Sequence, residues 1–405
     1  MKSKKASIQI KKINGYNVMF VPTHNNVIHI EAVVHSGFIH ETKQTSGINH
    51  LLEHVLVSGW KKCNGSCNTY WDEKGAIINA STDNTVMKYY IKGVTEDIDE
   101  MIEYISTIMS ACFFDQTMLE NEKQAVADEL TALSGDPTTE LNNVFHKHFF
   151  KMDGLRYVED WKQQIKNLKH LTIRDIKDAY KAFNTENILF VVYGQYNMSN
   201  VSSLFSKHLV PIHGVAVKKV ECFSLNHSIL YTPFDMEGTT LLLGFPSNVM
   251  YSDFFDCFSL LMHQILFKEM RTKRKLMYDV LISCTPTRCG TMITLEINVR
   301  DQNIKETLHM LLFFIKEFCS TLVEDRLIDA CKKTLIYKYN TDYAMVDYYT
   351  KFIHQKRMPL TKQQLINKVK TFTATHFKKM CTELLPIHHA MAVYQGKTKL
   401  NMSWD

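Results

Sequence analysis

Ser46-Gly-Ile-Asn-His-Leu-Leu-Glu-His-Val-Leu-Val-Ser58 decides how this chain is read. Within it His50-Leu-Leu-Glu-His54 has the form H-x-x-E-H, the reverse of the H-E-x-x-H metalloprotease box. The stretch has no proline, and Ile48, Leu51, Leu52, Val55 and Leu56 recur at helical spacing. On a helix, positions i and i+4 stand one above the other on one face, so His50 and His54 can share a metal ion. Glu53 falls on nearly the same face, within reach of a water at that ion. The apolar residues supply a surface to bury against a sheet. The plain alternative is a surface helix with two solvated histidines. A third ligand separates the two readings, because catalytic zinc takes three protein ligands and keeps a fourth position for water.

A candidate third ligand follows in Asn121-Glu-Lys-Gln-Ala-Val-Ala-Asp-Glu-Leu130, which reads as a helix. Glu122 and Glu129 are seven residues apart, two turns, and share one face. Taken alone, this is an acidic helix whose ordinary role is a solvated surface.

The rest of the chain sets bounds. Its 405 residues suffice for two or three domains with a large buried core. A hydrophobic content of 45% and a charged content of 22% are those of an ordinary globular protein. The net charge of +5 is well mixed in sign, with no basic stripe interleaved with aromatics, so nucleic acid is not expected as a partner. No apolar run approaches a membrane span, and Met310-Leu-Leu-Phe-Phe-Ile315 is short enough to be a core helix. Lys2, Lys4 and Lys5 lead straight into strand-like sequence, so neither a secretory signal nor a mitochondrial presequence is expected. Ten cysteines show no framework spacing, and Cys63 and Cys67 (C-x3-C) are read as reduced thiols. Together these features point to the cytoplasm.

An internal echo divides the chain. The helix-like Leu171–Tyr180 followed by the strand-like Asn187–Gly194 returns as Phe372–Cys381 followed by His389–Gly396. From Thr172 to Gly194 is 22 positions, and from Thr373 to Gly396 is 23, the mark of a duplicated unit. Each threonine reads as a helix N-cap and each glycine as the end of a strand. Pro211 and Gly214 mark a break. The expected domains are residues 1–210, a linker at 211–228, and residues 229–405. Strand patterns at Val27–Val34 and Thr291–Val299 mix with amphipathic helices at Met101–Met109 and Thr307–Lys316. The fold class is therefore α+β: two homologous domains, each a mainly antiparallel sheet with helices packed on one face. His263 stands alone in an apolar stretch and reads as a core or edge histidine.

Three stretches together resemble the pitrilysin/insulinase family of zinc peptidases. They are Gly47-Ile-Asn-His-Leu-Leu-Glu-His54, Gly75-Ala-Ile-Ile-Asn-Ala-Ser-Thr82 and Glu122-x-x-Ala-Val-x-x-Glu129. Gly37 with Glu41, and Asp136-Pro137, agree. The resemblance covers nearly the whole chain as one two-domain unit, half of a clamshell. It implies one zinc per chain held by His50, His54 and Glu129, with Glu53 as general base and Glu122 supporting the metal shell. It implies that Asn79 and Ala80 lie on an exposed edge strand to which substrate backbone adds. In Phe267–Tyr278, Arg271 and Tyr278 match the pair that holds the substrate carbonyl, while Lys275 stands where the family usually has Gly. The implied activity is a zinc metalloendopeptidase acting on unfolded or flexible peptides in an enclosed chamber. The implied assembly is a homodimer, or a heterodimer with a related subunit. The alternative is a non-catalytic peptide-binding partner subunit. A purely structural zinc site would need a fourth ligand, and the sequence offers none.

Overall fold

The apolar runs of the sequence form two β-sheets in the computed structural model, which describes residues 8–404 apart from 25, 64, 134, 151–160, 219–222 and 226. The lysine-rich opening and residues 219–222 and 226 of the expected linker lie outside the described residues. The first sheet holds β1 (Gln9–Ile13), β2 (Tyr16–Pro22), β3 (Val27–Val34), β4 (Ile77–Thr82), β5 (Met87–Val94) and β6 (Ile188–Gly194). Their order is β1-β2-β6-β3-β5-β4, antiparallel throughout except for the parallel β2/β6 pair. The second sheet holds β7 (Ile229–Pro233), β8 (Thr239–Ser247), β9 (Asp279–Thr287), β10 (Gly290–Val299) and β11 (Met391–Gly396). Its order is β7-β11-β8-β10-β9, with β7/β11 the one parallel pair among its described strands. That order and that parallel pair repeat β2-β6-β3-β5-β4 of the first sheet.

The echo in sequence has a structural counterpart. Thr172 caps the helix Ile173–Tyr180 in a capping box with Asp175, and Gly194 closes β6. Thr373 caps the helix Ala374–Leu384, and Gly396 closes β11. One unit gathers residues 1–134 and 152–220, and the other 135–151 and 221–405.

In the first unit the helices are α1 (Ile48–Val57), α2 (Cys67–Asp72), α3 (Ile98–Ser110) and α4 (Gln116–Leu133). α3 packs on β3 and β5, and α1 on β4 and β5. In α1, Leu51, Leu52, Val55 and Leu56 are fully buried and Ile48 nearly so. At about 1.5–3 kcal/mol per side chain, their transfer from water contributes on the order of 10 kcal/mol, an upper figure against a real unfolded chain. That burial fixes the roll of α1 about its axis, and hence the direction of the face bearing His50 and His54. In the second unit α5 (Pro137–Phe149) packs on β8 and β11, although it precedes the rest of that unit by some seventy residues of chain.

One expectation is corrected. Cys63 and Cys67, read as reduced thiols, are joined in a disulfide, and Cys289 is also disulfide-bonded. Ser66 caps α2 by accepting from the Thr69 N–H and turns the chain there, bringing the Cα atoms of Cys63 and Cys67 to 4.9 Å, within bridging range. Disulfides belong to oxidising surroundings, so the step from reduced thiols to the cytoplasm loses its footing. Among the described residues, no helix is long and apolar enough to cross a membrane.

Candidate active site

α1 is seated at its N-terminus by groups well before it in sequence. Gly47, at φ +94°, makes the left-handed turn into the helix. The buried Glu41 carboxylate accepts from the Gly47 and Asn49 N–H groups at 2.8 and 2.9 Å, satisfying two donors that a helix start leaves unpaired. Asn49 Nδ2 in turn donates to the Gly37 carbonyl at 3.0 Å. A Cβ on Gly37 would stand 2.2 Å from the Asp83 carbonyl oxygen, so the close approach at this point requires glycine.

α4 is held by its buried Leu119, Val126 and Leu130 and packs against α1. Its Glu122 and Glu129 face the two histidines. Glu129 Oε1 lies 3.7 Å from His50 Nε2, and Glu129 Oε2 lies 3.2 Å from His54 Nε2. Glu122 Oε2 lies 3.4 Å from His54 Nδ1, while Glu122 Oε1 accepts from Ser58 Oγ at 2.8 Å. His50, His54 and Glu129 each offer one ligand atom, and these atoms all lie within 4.8 Å of one another. Two imidazoles and a carboxylate are a donor set that suits zinc with one open position. The residues present therefore fit the metal that the resemblance implies.

The charges in this cluster are tightly linked. Burial disfavours charge on His54, but hydrogen bonds to Glu122 and Glu129 outweigh it and raise its pKa to about 9. Hydrogen bonds from His50 and His54 hold the Glu129 carboxyl well below the usual carboxylate range. Glu53 is nearly buried, and desolvation raises its pKa, partly offset by a hydrogen bond from Thr82 Oγ1 to Oε2 at 2.5 Å. A carboxylate shifted upward beside a metal-ligand set suits proton transfer.

Asn79 and Ala80 lie on β4, an edge strand of the first sheet. The Ala80 N–H is held by the Asn79 side-chain oxygen at 2.8 Å. Glu53, His54, Asn79, Ala80, Glu122 and Glu129 border one cavity of about 930 Å³ in the first unit.

Arg271 and Tyr278 lie in the second unit. The helix Phe255–Leu266 continues as a π-helical segment, Phe267–Lys273, which carries Arg271. Such widened turns are frequent at functional sites. Lys275 adopts φ +56°, the left-handed conformation that glycine favours, so the turn is kept without the usual residue. The Leu276 N–H closes it on the Met270 carbonyl at 3.0 Å. Arg271 and Tyr278 border a cavity of about 120 Å³ together with Arg300, whose Nε donates to Tyr278 Oη at 3.2 Å. His263 bonds the Val280 carbonyl through Nδ1 at 2.8 Å, a structural role.

Three groups at these sites escape sequence reasoning, Thr82, Ser58 and Arg300, and Glu41, singled out with Gly37, gains the role of capping α1. Ser58 had a signal, since it sits one turn after His54. Thr82 had one too, two residues beyond Ala80 on a strand.

Residues 21–157 match the family pattern described as insulinase (peptidase family M16). The beta subunit of a mitochondrial-processing peptidase from Dictyostelium discoideum is 27% identical over 118 residues, 29% of this chain and 25% of that protein. The zinc protease PqqE of Helicobacter pylori is 30% identical over 129 residues, 31% of this chain and 29% of that protein. The matched segments thus span between a quarter and a third of these relatives. In structure, a protease from Helicobacter pylori superposes with a TM-score of 0.81 at 15% identity, covering 96% of this chain and 99% of the other. An M16 inactive domain from Pseudomonas fluorescens gives 0.81 at 16%, covering 98% and 100%. Both agree with the expected α+β fold. Residues 21–157 thus carry the insulinase (peptidase family M16) pattern, and nearly the whole chain has the fold of these solved M16 proteins.

Proposed function

We propose that the chain is a zinc-dependent endopeptidase that cuts internal bonds of unfolded or flexible peptides. One observation carries this reading: His50 and His54 on α1 and Glu129 on α4 bring their donor atoms within 4.8 Å of one another, beside the buried Glu53. Zinc, when bound, supplies a water of lowered pKa and a Lewis acid for the scissile carbonyl. Glu53 takes a proton from the attacking water and later passes it to the leaving amine. Glu122 accepts from His54 Nδ1 and so leaves Nε2 to face the metal. The free edge of β4 takes the peptide backbone as an added strand, aligned by Asn79 and Ala80. This mode reads backbone, which favours extended chains over folded surfaces. In the paired assembly, Arg271 and Tyr278 of one subunit face the zinc site of the other and donate to the substrate carbonyl oxygen as its negative charge develops. Each chain holds one zinc and pairs with a second copy or a related subunit to enclose the substrate. The Cys63–Cys67 disulfide favours an oxidising compartment over the cytoplasm.

A second reading, a non-catalytic partner subunit, draws on the structural neighbour named as an inactive domain. Against it, this chain keeps every residue of the H-x-x-E-H box and Glu129. Metal analysis with a quenched-peptide assay, with and without chelator, separates the two. The peptidase reading expects chelator-sensitive cleavage, and a Glu53→Gln variant that keeps zinc while losing about 10²–10⁴-fold in rate. Cleavage undiminished in Glu53→Gln would refute the assignment of the base.

A further inference from the structure

The strand that borders the cavity also reaches the base. Along β4 the exposure alternates: Ile77, Asn79 and Ser81 are exposed, whereas Ile78, Ala80 and Thr82 are half-buried on the other face. That second face meets α1. At its end Thr82 Oγ1 lies 2.5 Å from Glu53 Oε2 and 3.5 Å from the Asn49 carbonyl, one turn earlier on α1. A hydroxyl has one proton to donate, and the nearer carboxylate is the stronger acceptor. Thr82 is itself held by the sheet, opposite Met87 of β5, rather than by a loop.

We propose that Thr82 is the positioning residue for Glu53, fixing Oε2 so that Oε1 is presented to the cavity. The inference rests on Glu53 being the general base. Its consequence is a mechanical link. Asn79 and Ala80, which align the peptide, and Thr82, which aligns the base, are neighbours on one short strand. The distance between the docked backbone and the proton acceptor is therefore set by the pleat of β4 and not by side-chain rotamers alone. A general base loses efficiency when its carboxylate wanders by about an ångström, which is what removing a positioning partner permits.

The test compares Thr82→Val, which keeps shape and removes the hydroxyl, with Thr82→Ser, which keeps the hydroxyl. A misplacement of about an ångström costs up to about 100-fold in rate. That loss is expected in kcat for Thr82→Val, with KM and zinc content within about two-fold of the parent and with Thr82→Ser restoring most of the rate. A merely structural role would move KM, zinc content and melting temperature together and would not be rescued by serine. Should Thr82→Val fail to fold, Thr82→Ala against Thr82→Ser makes the same comparison. A second readout needs no activity: in crystals of metal-free Thr82→Val, the Glu53 carboxylate should leave the position it holds in the parent. An unchanged kcat, or a Glu53 carboxylate that stays in place, overturns the proposal. If the parent chain neither holds zinc nor cleaves peptide, the peptidase reading falls, and the position of Glu53 in the metal-free variant still decides the role of Thr82.

Discussion

Zinc uptake should release at least about one proton per ion at pH 7, the one held by His54. In the metal-free chain His54 sits between Glu122 Oε2 at 3.4 Å and Glu129 Oε2 at 3.2 Å, and its pKa is raised to about 9. At pH 7 it is therefore protonated in roughly 99 of 100 molecules. A metal ligand must present a bare nitrogen, so binding displaces that proton from Nε2. Glu129 is already ionised, because its pKa is held well below the usual range, and contributes no proton. The two pH units between 7 and 9 make binding at pH 7 weaker by about 2.7 kcal/mol than above pH 9, a tenfold loss in affinity per unit. The assay is calorimetry of zinc binding in buffers of different ionisation enthalpy, where the slope of observed heat against buffer enthalpy counts protons. A slope of at least about one at pH 7 is expected, with the His54 share of it vanishing near pH 10, where only the proton of the zinc-bound water remains. A slope near zero at pH 7 would refute the reasoning, because it would mean that His54 is neutral before the metal arrives. The same shift acts on stability in the metal-free chain. A histidine whose pKa is raised on folding stabilises below about pH 6.5, and that contribution is lost as pH rises through about 9.

Two further outcomes follow from backbone and covalent features. Lys275→Gly relieves a left-handed residue at φ +56°, worth about 1–2 kcal/mol, against an entropic cost of roughly 0.5–1 kcal/mol, so melting should show a net gain of up to about 1.5 kcal/mol. A clear loss of stability would mean that the Lys275 side chain has an unrecognised partner. Replacing Cys63 and Cys67 together by serine opens a short loop and should cost about 2 kcal/mol, read from the denaturant midpoint. Because Gly65 and Ser66 of that loop, and Trp60 and Lys61 just before it, border the cavity, KM should rise more than kcat falls. An unchanged KM would show that this wall does not touch substrate.

What the sequence made legible was local. The α1 face and the pairing of Glu122 with Glu129 follow from a 3.6-residue period, and α1 and α4 contain both motifs. Thr172 and Thr373 as caps, with Gly194 and Gly396 as strand ends, were readable for the same reason. What escaped depends on contacts distant in sequence. Thr82 meets Glu53 across 29 residues because β4 lies beside α1, and no spacing rule encodes that. Glu41 caps α1 from six and eight residues away through a loop rather than as an adjacent N-cap residue. The helix signal of α5 is plain, with Pro137 at its start and Asp136 as its cap. Its packing with the second unit turns instead on Gly244 of β8, where a Cβ would stand 2.3 Å from the Phe145 ring. The Cys63–Cys67 bridge was missed because spacing alone does not reveal a loop that folds back on itself.

The most direct measurement is zinc-edge X-ray absorption on the purified chain, with stoichiometry, repeated on Glu129→Gln. The account predicts one zinc per chain with two imidazole nitrogens, a carboxylate oxygen and an exchangeable fourth position, and much weaker binding in the variant. A chain that binds no zinc, a fourth protein ligand closing the shell, or a shell indifferent to Glu129 would contradict it.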